Sequence, residues 1–284
     1  MPGPSSIVHR RSLLGRSLLA FGALMAATPA GAEAPQGDPR RRDLRRFIRM
    51  RGALDDRLVI GFLSGRYNGV VDGELTPLFG LYAATFSRYR PKGAGYEVVG
   101  FEQAYFTDLA SGQVLDRWKN PYTGETVEPP VTSSPPAKVF IGPDLQIHGE
   151  REPPPNVKLY MAASRPEVLG DEIVFVEQLY ASRAAEGEAP PFGYNENTTL
   201  RAKLADVDRA DLKTVPCQTS FNAVVSWRPW LKMGGRPGCM AAFGYGRYGA
   251  SIDTLPKPWL EATARLRPEL LTHPEAVMEP LWRA

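Results

Sequence analysis

The sequence predicts an all-β domain: an antiparallel barrel or sandwich of roughly ten strands, with an N-terminal and a C-terminal helix. Three observations predict it. Short apolar segments alternate with turn residues along most of the chain, which carries 27 Gly and 27 Pro, the punctuation of a multi-stranded β domain. Two tight turns, Leu109-Ala110-Ser111-Gly112 and Asn120-Pro121-Tyr122-Thr123-Gly124-Glu125, stand close together. They leave no room for the dozen or so residues that a parallel crossover requires, so the strands there run antiparallel. Finally, Phe221, Ala223, Val225 and Trp227 alternate with Ser220, Asn222, Ser226 and Arg228, Val224 being the one apolar exception. That period of two gives a sheet one buried and one wetter face.

Ahead of the domain, the basic stretch His9-Arg10-Arg11-Ser12-Leu13-Leu14 is followed by an apolar run from Leu18 to Ala27. The run is far shorter than the roughly 20 residues a membrane span needs. Pro29 and then Ala30-Gly31-Ala32 supply a small-residue cleavage site. Residues 1–32 are therefore expected to be a twin-arginine signal peptide, with the twin-arginine translocase as partner and a periplasmic or otherwise extracytoplasmic destination. The formal net charge of +3 loses Arg10, Arg11 and Arg16 with the signal. The rest is near neutral, so no nucleic-acid partner is expected, and no later apolar stretch is long enough for a stable membrane span.

Residues 33–57 read as a basic amphipathic helix, with Arg40, Arg41, Arg42, Arg45, Arg46, Arg49 and Arg51 interleaved by Leu44, Phe47, Ile48 and Leu54. Its apolar stripe packs on the body, or its arginines meet anionic lipid. Residues 58–284 form one β-rich domain. Strands are expected over 62–71 and 78–89, joined at Asp72-Gly73-Glu74, and over 97–107. The chain runs back over 113–119 and is extended again from Thr126. A Pro/Ser loop over 129–136 precedes short strands at 138–141 and 145–149. Pro153-Pro154-Pro155 is a stiff spacer, and 157–163 and 172–182 make an antiparallel pair. Residues 184–194 read as a mobile loop, 239–248 as a Gly- and aromatic-rich strand, and 256–271 as the closing helix.

Two blocks carry a resemblance. Tyr96-Glu97-Val98-Val99-Gly100-Phe101-Glu102, Tyr105-Phe106-Thr107-Asp108-Leu109 and Trp118-Lys119-Asn120-Pro121-Tyr122-Thr123-Gly124-Glu125 form the first. Trp227-Arg228-Pro229-Trp230-Leu231-Lys232-Met233-Gly234, with Pro237-Gly238 and Leu255-Pro256, forms the second. The chain resembles a bacterial and fungal family catalogued as domain of unknown function 1838. The resemblance implies a shared fold and frequent export signals, and transfers no catalytic residue.

Candidate chemistry rests on few residues. Beyond the signal only His148 and His273 are histidines, and no Cys-x-x-Cys or His-x-x-x-His spacing occurs; no metal and no cofactor is expected. Neither a phosphate-cradling Gly motif nor a Gly-x-Ser-x-Gly elbow is present, which disfavours nucleotide binding and ordinary esterase chemistry. Glu177 shares a strand face with Ile173, Phe175 and Leu179, and Glu102 shares one with Val98 and Phe106. A carboxylate on a buried face is paired, or its pKa rises into the range of a general base. Glu177, Glu102 and His148 are thus the catalytic candidates, and Arg88, Arg117 and Arg228 could pair with the carboxylates. Tyr105, Trp118, Tyr160 and Trp227, with Arg88, are the ligand-binding candidates for a cavity lined by rings. Cys217 and Cys239 are either two buried thiols or a disulfide closing a loop of 21 residues.

Three functions follow as expectations: a barrel binding a small apolar or aromatic molecule, a cofactor-independent lyase, isomerase or hydrolase, or a non-catalytic envelope interaction module.

Overall fold

The computed structural model describes residues 38–187 and 191–284. The signal expected over 1–32, and the first residues of the basic segment, lie outside the described residues. Helix α1 (Pro39–Arg51) starts at Asp38, whose carboxylate accepts the Arg40 N–H at 3.0 Å, and has Pro39 in its first turn. Leu44, Phe47 and Ile48, spaced for one helix face, are at most 2% exposed, so the apolar stripe packs on the body. The helix ends at Gly52, where a Cβ would stand 2.0 Å from the Tyr89 ring. Only glycine lets the chain pass that buried ring.

Fourteen strands follow among the described residues: β1 (Val59–Val71), β2 (Glu74–Lys92), β3 (Gly95–Thr107), β4 (Trp118–Lys119), β5 (Thr126–Val127), β6 (Thr132–Ser133), β7 (Ala137–Ile141), β8 (Ile147–Gly149), β9 (Val157–Ala163), β10 (Glu167–Leu169), β11 (Glu172–Arg183), β12 (Phe192–Lys203), β13 (Cys217–Val225) and β14 (Cys239–Ala250). The antiparallel order runs β9-β11-β12-β13-β14-β1-β2-β3-β7-β8. A single bridge, Gln146 to Ala162, and the Ala163 N–H on the Leu145 carbonyl at 2.9 Å bring β8 back to β9. The sheet is therefore a nearly closed barrel whose seam lies at β8–β9. Short strands finish the edges: β6 beside β7 on β3, and β10 beside β9 on β11.

Strand β13 alternates buried and exposed residues along its whole length, as its sequence predicts. Its Phe221 ring covers Gly244 and Gly65, paired glycines on the neighbouring strands; a Cβ at Gly244 would meet that ring at 2.5 Å. The described residues pack into three apolar clusters. Helix α1 plugs one end of the barrel against Tyr89, Ile173, Phe175, Leu200, Cys217 and Tyr248. Rings of Tyr67, Phe79 and Phe106 with Trp118 and Trp230 fill the other end. Outside the barrel, α3 (Lys257–Leu266), α4 (Glu269–Thr272) and α5 (Pro274–Arg283) cover β1–β3 through Trp259, Leu270 and Met278. A four-residue α2 (Leu204–Val207) follows β12. Each fully buried large side chain contributes about 1.5–3 kcal/mol.

Four expectations change. The loop expected over 184–194 already belongs to β12 from Phe192. The closing helix is three helices, broken at Pro268 and His273. The run over 113–119 holds only a bridge at Val114 and the two-residue β4, because the loop folds over the barrel end instead of extending the sheet. Cys217 and Cys239 are free thiols. Cys217 begins β13 opposite Tyr248, whereas Cys239 begins β14 opposite Val70, at the far end of the antiparallel pair. The eight-step separation along β13 is roughly 25 Å, far beyond disulfide reach.

Candidate functional site

Between the two end clusters the inner face of the barrel turns polar. Glu177 on β11 points inward, and Arg51, the last residue of α1, reaches in to meet it: the Arg51 Nε–H donates to Glu177 Oε2 at 2.8 Å. Arg51 also donates to the Tyr89 hydroxyl at 3.2 Å and lies 4.9 Å from the centre of the Tyr248 ring. Glu177 is thus one half of an interior ion pair. Its side chain is 19% exposed and that of Arg51 23%, so water reaches the pair only in part.

Further along the same face lies a cavity of about 80 Å³. Leu63, Leu81, Ala83, Ala104, Phe106 and Phe221 supply its apolar wall; Tyr67, Glu102, Thr132, Tyr194, Glu196 and Arg228 supply its polar wall. Six strands and the turn after β13 contribute to it, so its shape is set by barrel closure and not by any one segment. Glu196 accepts hydrogen bonds from the Tyr194 hydroxyl and from Thr198 Oγ1, the latter at 2.9 Å. Burial raises the Glu196 pKa, and those two hydrogen bonds oppose the rise. Burial and the neighbouring Glu196 hold the Tyr194 phenol well above its usual range.

Glu102 differs from both other carboxylates. Its backbone is pinned on both sides by Ser134: the Glu102 N–H donates to Ser134 Oγ at 2.7 Å, and the Ser134 N–H donates to the Glu102 carbonyl at 3.0 Å. Its carboxyl group has no hydrogen-bond partner among the described residues. Burial, reinforced by the charge of Glu196, pushes its pKa up to about 7, while Arg228 and Arg51 pull the other way. A carboxyl poised near neutrality can either take or give a proton at physiological pH. Arg228 sits beside the Tyr67 hydroxyl, and its buried Nε–H has no partner among the described residues. It makes no ion pair among them.

The residues singled out by sequence fall in several places. Glu102 lines the cavity, and Glu177 lies next to it in the same polar belt. His148 does not join them: it is exposed on β8, opposite Phe140. Tyr105 points out of the barrel, bonded to Thr263 at 3.1 Å under Trp259. Trp118 caps the ring-filled end, its Nε1–H on the Leu78 carbonyl at 3.0 Å. Trp227 packs on Tyr122 with ring centres 5.6 Å apart. Tyr160 is 47% exposed on β9. Arg88 lies on the outer face, bonded to Asp56 and Glu279 and stacked on Trp282 at 4.5 Å. Glu196, Tyr194, Tyr67 and Arg51 were missed as site residues. Tyr194 and Glu196 stand at the start of β12, where the inward residues are polar and no apolar alternation marks the strand.

Among the described residues no group of three or more His, Cys, Asp or Glu side chains is arranged to hold a metal ion. No helix among them is long and apolar enough to cross a membrane. Neither the curated proteins nor the solved structures hold a match to the chain. Family comparison does: the sequence pattern of the proteins of unknown function grouped as DUF1838 matches residues 64–280, and the chain belongs to that family.

Proposed function

We propose that the barrel interior is an acid–base site in which Glu102 moves a proton on a small molecule, in a protein exported by the twin-arginine route. The observation that carries this reading is Glu102 itself. It is an inward carboxyl with no hydrogen-bond partner among the described residues, its pKa pushed up to about 7, and it lines the cavity. A purely structural carboxylate would be matched, as Glu177 is by Arg51. Leaving a buried acid unmatched costs stability, and active sites are where such costs concentrate.

The cavity's size favours a compact guest over a large apolar one. A dry cavity that takes benzene measures roughly 150 Å³, and ordinary ligand pockets begin near 300 Å³. About 80 Å³ lined by two carboxylates and an arginine suits a few polar heavy atoms, or one end of a longer molecule. Export rests on Arg10-Arg11 and the short apolar run behind them. Replacing both arginines by lysine should retain the full-length chain in the cytoplasm; unchanged export removes that part of the proposal.

The test of the site incubates purified protein and its Glu102→Gln variant with metabolite extract and compares the two by NMR. The wild type is expected to convert at least one metabolite about 100-fold or more faster than the variant. Equal conversion by both, or none by either, overturns the acid–base reading.

A further inference from the structure

We infer that Arg228 is the second catalytic group of this site, binding the oxygen of a small neutral carbonyl compound while Glu102 moves a proton at the adjacent carbon. The inference rests on the acid–base reading of Glu102 and adds to it the substrate class and the electrophile. Arg228 lines the same cavity as Glu102, yet no carboxylate among the described residues comes within ion-pair distance of it. Its Nε–H is buried without a partner among the described residues, in a protein that pairs Arg46, Arg51, Arg88 and Arg201 with acids. A buried donor on a cation left unmatched is costly, and a bound acceptor removes the cost.

The charges on the wall decide what that acceptor is. Glu102 and Glu196 both face the space that Arg228 faces. A carboxylate or phosphate guest would set further negative charge against them, with one guanidinium in balance. A neutral carbonyl oxygen avoids that repulsion and still offers lone pairs to Arg228. The space is about 80 Å³, so a guest held by Arg228 lies beside the other residues that line it, the Glu102 carboxyl among them.

The step balances without any further reactant. A Glu102 carboxylate oxygen takes the proton from the carbon next to the carbonyl. The C–H electron pair becomes the C=C bond of an enolate, and the carbonyl π pair moves onto the oxygen. The Arg228 cation meets that oxygen when its charge is greatest, which favours the transition state over the ground state. Glu102 then delivers that proton, or a solvent one exchanged for it at the carboxyl, to the same carbon or to a conjugated one, and ends as the carboxylate it began as. The net reaction is isomerisation or exchange.

The experiment follows deuterium uptake from D2O into acetone and butanone by NMR, using the full chain across the neutral range. Wild-type protein is expected to exceed the buffer rate, and Glu102→Gln to abolish the excess. Arg228→Met should lower the excess about 100-fold. Arg228→Lys, which keeps the charge without the fork, should retain part of it. The midpoint of the rate–pH profile should also rise in Arg228→Met, since the cation that favours ionised Glu102 is gone. Circular dichroism confirms that each variant is folded, and the lysine variant serves if the methionine one is not. Exchange lost in Glu102→Gln but unchanged in both Arg228 variants overturns the role of Arg228 and leaves Glu102 standing. Exchange above the buffer rate and equal in wild type and Glu102→Gln overturns the acid–base reading itself. No exchange of either ketone by wild type overturns the carbonyl assignment alone.

Discussion

The two ends of the barrel interior carry the same kind of residue in opposite circumstances. Toward the α1 end, Glu177 lies among Ile173, Phe175 and Tyr89, and the helix that plugs the opening delivers Arg51 to it. Toward the ring-filled end, Glu102 lies among Ala104, Phe106 and Leu81, and no described residue hydrogen-bonds to its carboxyl. Both glutamates sit on inward positions of long strands, and both have apolar neighbours above and below. The difference is the partner. One acid is neutralised by an element whose docking depends on it, while the other is left at the edge of ionisation beside an empty volume. Identical chemistry on one sheet face is therefore structural at one end and free for work at the other.

The same substitution at the two ends should have opposite signs, and the larger effect is at Glu177. Glu177→Gln removes the charge that Arg51 needs while leaving Arg51 inside the barrel. Breaking such a pair costs about 3–5 kcal/mol when fully buried, and the partial exposure of both side chains places this one at about 3 kcal/mol. The melting temperature should fall by roughly 6–12 °C for a domain of this size. A fall of the same size in 1 M salt would confirm that the pair is sheltered; an unchanged melting temperature would show that α1 docks by its apolar stripe alone.

Glu102→Gln is next in size and stabilises. The folded-state pKa of Glu102 is raised to about 7, above the ordinary value near 4.3 of an unfolded chain. Between those two values the folded state holds a proton that the unfolded state has released. Stability therefore falls as pH rises through this window and is flat above it. Glutamine mimics the protonated acid, so the variant should match wild type below about pH 4 and exceed it above pH 7, by about 2 kcal/mol, less than full burial would give because Glu102 is partly exposed. Urea denaturation at the two pH values measures the difference. Glu196, also raised by burial, adds a slope of the same sign in both proteins, smaller in the variant because the neighbouring Glu102 charge is gone. A variant less stable than wild type above pH 7 would mean that the carboxylate has a partner in solution.

How much of this contrast could be read from sequence follows from what a period of two encodes. It fixes which residues share a face, so Glu102 with Val98 and Phe106, and Glu177 with Ile173 and Leu179, were legible as inward acids. It says nothing about what crosses the barrel. Arg51 meets Glu177 from 126 positions away, through a helix whose docking site is formed only once the barrel closes. Alternation is also silent where both faces are buried. Every residue of β3 except Gly100 and Glu102 is buried, so Tyr105 and Phe106 look alike in sequence although one faces α3 and the other the cavity. Strand β12 failed for the converse reason: Tyr194, Glu196 and Thr198 point inward yet are polar, and a polar inner face carries no apolar signature. His148 attracted notice as a rare histidine, but β8 is a three-residue strand at the seam and presents it outward.

The smallest expected effect concerns the two cysteines, which mark the two ends directly. Cys217 belongs to the cluster around α1, with its thiol pushed up to about 12 by burial; Cys239 lies at the opposite end of the β13–β14 pair and is only partly buried. A disulfide between them would stabilise by about 3 kcal/mol through its loop, and its reduction would lower the melting temperature by several degrees. The observed register makes that bond impossible without unpairing both strands, so dithiothreitol should leave the melting temperature of the oxidised, air-exposed protein unchanged. Alkylation of the native protein by iodoacetamide, read by mass spectrometry, should modify Cys239 first, because the thiolate is the reactive form and Cys217 is both covered and held protonated. Modification of Cys217 at a rate equal to that of Cys239 would mean that the α1 end opens readily. The plug would then be a door, and the contrast between a sealed end and a working end would lose its basis.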